Sequence, residues 1–300
     1  MTESLTTYRV GRYGLEVSSY DQYDPRGLLL VWEPPSNYAD YSMGVDPTVG
    51  VLGWSRSTRT DEDYKHDNAA IEVYRSGQFR EEEIKQADGR LSRQMIKQPD
   101  RQVAEWVGPI DAQDLAYVVN FIGRMFGGSH EDQQALATIE VYPGPGWLTQ
   151  REMKDKFGYS RFLPWLQEGK NMIQRDTGKR GWISNQHTRR DLWVRSGGHI
   201  KRRRAILRSK WLVEEMVACT PDNFIGLTAR AARLGKSQLN DDRVVATMLA
   251  LWAANEWQIG QEPSEPAGVE TTDRPDWQLS SMTAEEMADA WDARMAELQE

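Results

Sequence analysis

Carboxylates stand at the ends of apolar segments at three places in the chain. Asp46 ends the run YSMGVD, Glu140 ends ALATIE, and Asp241 and Asp242 open the run DDRVVATMLALWA. In an α/β sheet, ligands gather at the carboxyl ends of strands. Carboxylates gathered there repel one another unless a divalent cation lies between them. Oxygen ligands without a cysteine or histidine cluster suit Mg²⁺ or Mn²⁺ rather than zinc.

Three or four such acids could hold two Mg²⁺ or Mn²⁺ ions, roughly 3.5–4 Å apart, for in-line phosphodiester hydrolysis. Each acid also fits a structural role on its own, and Asp241 could be only the N-cap of its helix. Adjacent residues at a helix start point about 100° apart, so one of Asp241 and Asp242 could bind a metal directly and the other through water. The sequence leaves open which of the two is the direct ligand.

The elements that must position these acids follow from hydrophobic periodicity and turn residues. The pattern predicts strands first and then helices alternating with a strand, which indicates a mixed α/β sheet with helices on both faces. Residues 80–100 are charged and helix-tolerant without an apolar stripe, and we expect them to form a surface insertion. The predicted strands cover 28–32, 41–46, 67–77, 102–107 and 135–141, and the predicted helices cover 111–126, 204–216 and 241–256.

Charge is divided unevenly along the chain. The net charge is −8 overall, but residues 150–210 hold 17 bases against 5 acids, a net +12. Such a segment could bind the phosphates of DNA without recognising the base sequence. The sequence contains no helix-turn-helix, zinc finger or other motif for base recognition. The alternative is a solvated helix face that balances the acidic first half. The predicted DNA-binding residues, with Trp182, His187 and Trp193 interleaved, are Arg189, Arg190, Arg195, Lys201, Arg202, Arg203 and Arg204.

The last forty residues differ from the rest in composition. Residues 261–300 hold 11 acids and 2 bases and begin with a Pro- and Glu-rich stretch, which predicts a disordered acidic tail. A capping box at Thr283–Glu286 precedes a short amphipathic helix. Its apolar stripe could bind a partner or could fold back on the body. The stripe consists of Met287, Trp291, Met295 and Leu298.

The composition excludes several classes of protein. With 39% hydrophobic and 10% aromatic residues the chain can build a real core, so it is not disordered throughout. The single cysteine, Cys219, excludes an intrachain disulfide and fits a reducing compartment. No run approaches the ~18 apolar residues of a membrane helix, and the polar N-terminus does not resemble a signal peptide. We therefore expect a chain without a membrane partner.

Taken in order, several segments resemble the nuclease domain of the large terminase subunit of tailed bacteriophages. The resemblance covers roughly residues 28–257, and its specificity comes from the order of the pieces. These are VWEPPSNYADYSMGVDPTVG, DNAAIEVYRSGQ, VAEWVGPIDAQDLAYVVNFIGRMFG, ATIEVYPGPG, GWISNQHTRRDLWV, SKWLVEEM and NDDRVVATMLALWA.

The resemblance implies a ribonuclease H-like fold and a two-metal endonuclease that cuts double-stranded viral DNA concatemers. Asp46 matches the first-strand metal ligand, Glu140 the acid of a later strand, and Asp241-Asp242 the double aspartate of the last helix. Asp67 matches an acid often found before the second strand and is expected to be a turn residue. The resemblance also implies that the protein acts in the host cytoplasm, with the ATPase, the portal or the small terminase subunit as partners. On the same ground we expect it to be absent from the mature virion.

The chain departs from the family pattern in three respects. Tyr142 stands where an asparagine is usual, and Asn240 where a histidine is frequent. The chain has no phosphate-loop motif, because Gly235-Lys236-Ser237 lacks the upstream glycine at the required spacing. We therefore expect the packaging ATPase on another polypeptide or outside this chain. The predicted organisation is an N-terminal segment (1–27), a nuclease domain (28–260) and the tail (261–300).

Two other classes of function remain open from the sequence. One is a different ribonuclease H-like DNA nuclease of the junction-resolvase or transposase type. The other is a catalytically silent DNA-binding subunit of a packaging complex.

Overall fold

A nine-stranded mixed sheet organises the chain. The computed structural model describes residues 5–11, 14–17, 27–47, 68–85, 90–128, 134–142, 144–168, 174–219 and 241–255. Within them the strands are β1 Thr6–Gly11, β2 Gly14–Val17, β3 Leu28–Val31, β4 Tyr41–Asp46, β5 Ala69–Arg75, β6 Phe79–Lys85, β7 Leu91–Lys97, β8 Asp100–Gly108, β9 Leu136–Tyr142, β10 Pro164–Glu168, β11 Gln174–Arg180, β12 Trp182–Ile183 and β13 Ala205–Ile206. The helices there are α1 Ala112–Met125, α2 Gly146–Phe157, α3 Gln186–Lys201, α4 Lys210–Ala218 and α5 Asp242–Ala254.

The strand order places β4 and β9 side by side near one end of the sheet. The order is β12-β9-β4-β5-β8-β3-β1-β2, with β13 paired to the start of β8. Strands β4, β9 and β12 are parallel, whereas β5 runs antiparallel to β4 and β8 antiparallel to β5. Strand β1, from the segment 1–27, pairs with β3 and so belongs to the same sheet.

Side chains along the central strands lie alternately on the two faces of the sheet, so the core has two parts, one on each face. Met43 and Val45 of β4 pack with Leu115, Val119 and Ile122 of α1 on one face. The other face is covered by α5, in which every residue from 243 to 253 is buried. A helix buried on all sides must be apolar all round, as this one is apart from Arg243 and Thr247. The predicted mixed α/β sheet with helices on both faces is confirmed.

Several predicted elements agree with the structure, one predicted helix differs in part, and two helices were not predicted. The helix at 111–126 begins as predicted at Asp111, whose side chain accepts hydrogen bonds from the backbone N–H groups of Gln113 and Asp114 at 2.8 and 2.9 Å. Within the predicted surface insertion at 80–100, β6 and β7 pair as a separate two-stranded antiparallel hairpin with an exposed β6. Cross-strand pairing within the hairpin gives this charged segment the regular structure that its helical propensity did not predict.

The predicted helix at 204–216 was wrong in its first half. That stretch holds β13, then three residues without regular structure and only then α4, which Ser209 caps by accepting a hydrogen bond from the Leu212 N–H at 3.2 Å. Helices α2 and α3 were not predicted. The signal for α3 is a capping box, in which Asn185 and Thr188 each accept a hydrogen bond from the other's backbone N–H.

Among the described residues, no helix combines the length and the apolar character needed to cross a membrane. Asp67, Gly235-Lys236-Ser237, Asn240 and the whole tail, with Met287, Trp291, Met295 and Leu298, lie outside the described residues.

Candidate functional site

Asp46 and Glu140 meet at the ends of two adjacent parallel strands. The register pairs Val45 with Ile139, so the next residues, Asp46 and Glu140, are also neighbours across the two strands. Val45 and Ile139 pack on the α1 face, so Asp46 and Glu140 lie on the opposite face of the sheet. Burial, and then the charges of Glu140 and Asp242, raise the pKa of Asp46 well above its usual range. The raised pKa favours the protonated form of Asp46, and a cation bound there would displace that proton.

The start of α5 brings the third and fourth acids to this end of the sheet. Asp241 is the N-cap residue, but its side chain makes no capping hydrogen bond, so a capping role does not explain it. Asp242 acts more strongly than Asp241 on the pKa of Asp46. Burial also raises the pKa of Asp241, with Arg189 opposing and Glu140 adding to the shift. Asp242 is thus electrostatically coupled to Asp46, while Asp241 is coupled to Glu140 and Arg189.

Arg189, in the first turn of α3, contacts two of these acids. Its Nη2 lies 3.3 Å from Glu140 Oε1, and its Nη1 lies 3.7 Å from Asp241 Oδ2. The residue is only 8% exposed. Burial acts against its charge, but the charges of Glu140, Asp241 and Asp46 outweigh that effect and raise its pKa. Arg189 was predicted to face DNA phosphates; its ion pairs here are with the carboxylates.

Ser184 supports the same glutamate from the neighbouring strand. Trp182 of β12 pairs with Glu140, and Ser184, just beyond β12, donates its hydroxyl hydrogen bond to Glu140 Oε1. Glu140 is therefore held from two sides, by a hydroxyl and by a guanidinium. The sequence reasoning missed Ser184, because nothing in its local pattern separates it from an ordinary strand-end serine.

A second buried charge network, which the sequence reasoning also missed, lies behind the acids. Arg243, the residue after Asp242, places Nε 3.2 Å from Glu105 Oε1 and donates its backbone N–H to Glu215 Oε2 at 3.0 Å. Its Nη1 also bonds to Glu215 Oε1. Burial raises the pKa of Glu215 to about 7, although Arg243 opposes the shift. Arg243 thus ties the start of α5 to β8 and α4, which fixes where Asp241 and Asp242 lie.

The donor set fits a hard divalent cation. Asp46, Glu140, Asp241 and Asp242 offer only carboxylate oxygens, which suit Mg²⁺ or Mn²⁺. Three of them raise the pKa of the fourth, as expected for like charges held close together. Within the described parts of the chain, no group of three or more acidic, histidine or cysteine side chains forms a ready-made metal cage. The cation in contact with Glu140 and Asp241 is the guanidinium of Arg189.

The predicted DNA-binding residues do not form one cluster around the acids. Trp182 and Trp193 are 1% and 6% exposed and belong to the core, so they cannot stack on bases. Lys201, Arg202, Arg203 and Arg204 are exposed at the far end of α3, beside the start of β8. Within α3, Lys201 lies 12 residues after Arg189, so about 18 Å along the helix axis separates this basic run from Arg189. Arg190 and Arg195 are partly exposed between them, and His187 is exposed near the acids.

An exposed tryptophan also lies near the acids. A β-carbon on Gly146 would lie 2.0 Å from the carbonyl oxygen of Glu140, so the first turn of α2 packs on that strand. The next residue, Trp147, is 55% exposed, and the guanidinium of Arg151 lies 5.1 Å from the centre of its ring. An exposed aromatic ring with a cation beside it can contact a nucleic-acid strand.

No protein-family model matches the chain, and no curated protein matches it. The functional assignment therefore depends on the chemistry of the site itself, in which four acids come from three elements and one buried arginine is ion-paired with two of them.

Proposed function

We propose that the protein is a metal-dependent endonuclease that cuts double-stranded DNA with little sequence preference. The observation that carries the proposal is the convergence of Asp46, Glu140 and the Asp241-Asp242 pair at one end of the sheet. Like charges brought together beneath the surface oppose folding, and a divalent cation is the ordinary compensation.

Each acid has a distinct part in this proposal. Asp46 and Glu140, on adjacent parallel strands, would hold one side of a two-ion Mg²⁺ or Mn²⁺ site, and Asp241 and Asp242 the other. The bound ions supply an activated water and charge stabilisation at the leaving oxygen. Ser184 orients Glu140, and Arg243 fixes the start of α5, so that these residues keep the ligands in place without binding the metal.

The basic face of α3 fits a duplex substrate. Lys201 to Arg204 are exposed about 18 Å along α3 from Arg189, which contacts the acids, a distance of roughly five base pairs along B-form DNA. Contacts at that distance are to backbone phosphates, which position a duplex without reading its sequence. The basic run would therefore bind the DNA backbone at one point of the duplex, and the acids would cut the duplex at another.

The packaging context comes from the terminase resemblance. The mixed sheet with helices on both faces agrees with a ribonuclease H-like nuclease at the coarse level. On this proposal the protein cuts viral DNA concatemers in the host cytoplasm during genome packaging, and the ATPase motor would come from another chain or from sequence outside these 300 residues. The tail helix of Met287, Trp291, Met295 and Leu298 would bind the motor, the portal or the small subunit.

The test is nicking of a supercoiled plasmid with Mn²⁺, Mg²⁺ or EDTA. The wild type should nick with either metal and not in EDTA, and Asp46→Ala should not nick while still binding DNA. Asp155→Asn, which changes an exposed acid of α2, is the matched control and should nick normally. Mn²⁺-dependent nicking by Asp46→Ala would show that the site is misassigned.

A catalytically silent DNA-binding subunit is the second candidate, favoured by the ion pairs of Arg189 with Glu140 and Asp241. Calorimetry without any Mn²⁺ binding, together with retained DNA binding, would select it. A strong preference for branched DNA, or strand-transfer activity, would instead select a resolvase or transposase.

A further inference from the structure

Arg189 occupies the position of a cation among the proposed metal ligands. One guanidinium contacts acids from two different elements, Glu140 of β9 and Asp241 at the start of α5. Arginine cannot lose its proton in a protein, so this positive charge is permanent. A buried permanent charge is stable only where opposite charges surround it, and here Glu140, Asp241 and Asp46 supply them.

The side chain is held in this position by the start of α3. Asn185 and Thr188 form the capping box immediately before it, and Thr188 Oγ1 donates to the Ile183 carbonyl at 2.8 Å. Leu192 and Trp193 then fix the helix in the core. Because the backbone is anchored on both sides, the guanidinium cannot leave the acids without a change of side-chain rotamer.

We propose that Arg189 is a built-in counter-ion of the metal centre, a positioning residue that neutralises Glu140 and Asp241 and competes with divalent cations for their oxygens. This inference rests on the proposed function, since it assumes that these acids bind metal. It predicts that the arginine stabilises the metal-free protein and, in doing so, weakens metal binding. The centre would then fill only at a raised metal concentration or when DNA phosphates draw the guanidinium away.

The decisive measurement is Mn²⁺ affinity by calorimetry for the wild type and for Arg189→Gln. A charge of +1 held about 5 Å from a divalent ion repels it strongly at protein dielectric values, so Arg189→Gln should bind Mn²⁺ about tenfold more tightly or better. The same variant should unfold at a lower temperature in EDTA and gain more from Mn²⁺ than the wild type. Opposite shifts of metal-free stability and metal affinity distinguish a counter-ion from a residue that only supports the fold.

Two further variants serve as controls. Arg189→Lys keeps the charge and should bind Mn²⁺ within about threefold of the wild type. Arg93→Gln breaks an exposed Arg–Glu pair on the β6–β7 hairpin, with Glu83 at 3.3 Å, and should leave Mn²⁺ affinity unchanged. Equal or weaker Mn²⁺ binding by Arg189→Gln would overturn the inference.

The failures of this inference and of the proposed function are distinguishable. If the wild type nicks DNA with Mn²⁺ but Arg189→Gln binds Mn²⁺ no more tightly, the counter-ion role alone is wrong. If neither protein binds Mn²⁺ and the wild type does not nick, both proposals are wrong. Binding that becomes measurable only in Arg189→Gln would support the inference directly.

If Arg189→Gln fails to fold, the inference can be tested on the wild-type protein by NMR. In protein labelled with ¹⁵N-arginine, the Nε–H signal absent from Arg189→Lys belongs to Arg189. That signal should move as Mg²⁺ saturates the site, because the guanidinium must change partners. A signal that stays in place while Mg²⁺ binds would overturn the inference.

Discussion

Gly44 of β4 and Ala246 of α5 approach so closely that a β-carbon on Gly44 would lie 1.8 Å from the carbonyl oxygen of Ala246. No side chain fits there, so glycine sets how near α5 packs to the sheet. That distance in turn sets how near Asp241 and Asp242 come to Asp46. The geometry of the acids thus depends on a residue with no side-chain chemistry of its own.

Gly44→Ala should therefore impair both the fold and the site. A methyl group pressed against helix backbone must displace α5, and we expect a loss of about 3 kcal/mol in the free energy of unfolding. Mn²⁺-dependent nicking should fall with it. Gly144→Ala is the control, because its β-carbon would meet only the Pro47 carbonyl oxygen at 3.7 Å, an ordinary contact. Urea unfolding of the two variants measures the difference; equal stabilities would show that α5 tolerates the shift.

Asp46→Asn should stabilise the metal-free protein while removing metal-dependent cleavage. The pKa of Asp46 is raised by burial and by neighbouring acids, so its charged form opposes folding at neutral pH. Removing it should add about 1 kcal/mol, or roughly 2–4 °C in the unfolding temperature at pH 8 in EDTA. Differential scanning calorimetry measures this. An unfolding temperature below that of the wild type would mean that the acids do not repel one another.

Metal binding should also release protons. Mn²⁺ needs a deprotonated Asp46, and the raised pKa of Asp46 favours its protonated form in the metal-free protein. Mn²⁺ affinity should therefore rise with pH. Calorimetry in two buffers of different ionisation enthalpy gives the number of protons released, and zero release would contradict the raised pKa of Asp46.

Glu215 should make stability depend on pH between about 5 and 7. Its folded pKa of about 7 lies above the usual 4.5, so its contribution to stability is full below about pH 4.5 and is lost as the pH rises through 7. The difference corresponds to ~3 kcal/mol. In urea unfolding at several pH values, Glu215→Gln should show a flatter profile than the wild type. Parallel profiles would indicate that Arg243 keeps Glu215 ionised throughout.

The basic run at the end of α3 can be tested by salt dependence. If Arg203 and Arg204 contact phosphates, changing both to Gln should weaken duplex binding and reduce the slope of log affinity against log salt by about 2. Nicking at low salt should persist, since the basic run lies about 18 Å along α3 from Arg189 and the acids that it contacts. An unchanged slope would mean that the run is only a solvated helix end. Arg93→Gln again serves as the control.

Trp147 should contribute to DNA binding without affecting the metal. It is exposed beside a strand that carries Glu140, and stacking on a nucleotide is worth about 1 kcal/mol or more. Trp147→Ala should weaken binding of single-stranded DNA at least fivefold by fluorescence anisotropy, with Mn²⁺ affinity unchanged. Phe79→Ala, an exposed aromatic on the hairpin, is the matched control. Equal effects of the two would exclude a specific role for Trp147.

The acids at the ends of β4 and β9 and at the start of α5 could be predicted because local patterns mark them. An apolar strand that ends in a carboxylate identifies Asp46 and Glu140, and the long apolar run after Asp242 identifies its helix. Arg189 could not be placed in this way, because a basic residue in a basic segment looks like its exposed neighbours. Only the tertiary packing of α3 beside α5 shows that this guanidinium is buried.

The charged β6–β7 hairpin and the ion-pair partners of Arg243 could not be predicted from the sequence either. Glu105 lies in a strand and Glu215 in a helix about a hundred residues later, and each alone resembles a surface acid. Their pairing with Arg243 depends on long-range contacts that no local pattern encodes. The alternation of β6 and β7 is charged rather than apolar, so its regular structure depends on cross-strand pairing.

Helix α3 carries Arg189 in its first turn and ends at the basic run, with no break between them. Because the helix is continuous, its length would set the distance between the residues that bind phosphate and the acids that cut. The length of DNA that the protein covers would therefore depend on the number of residues in α3. One added helical turn would increase that length by about 5.4 Å, between one and two base pairs.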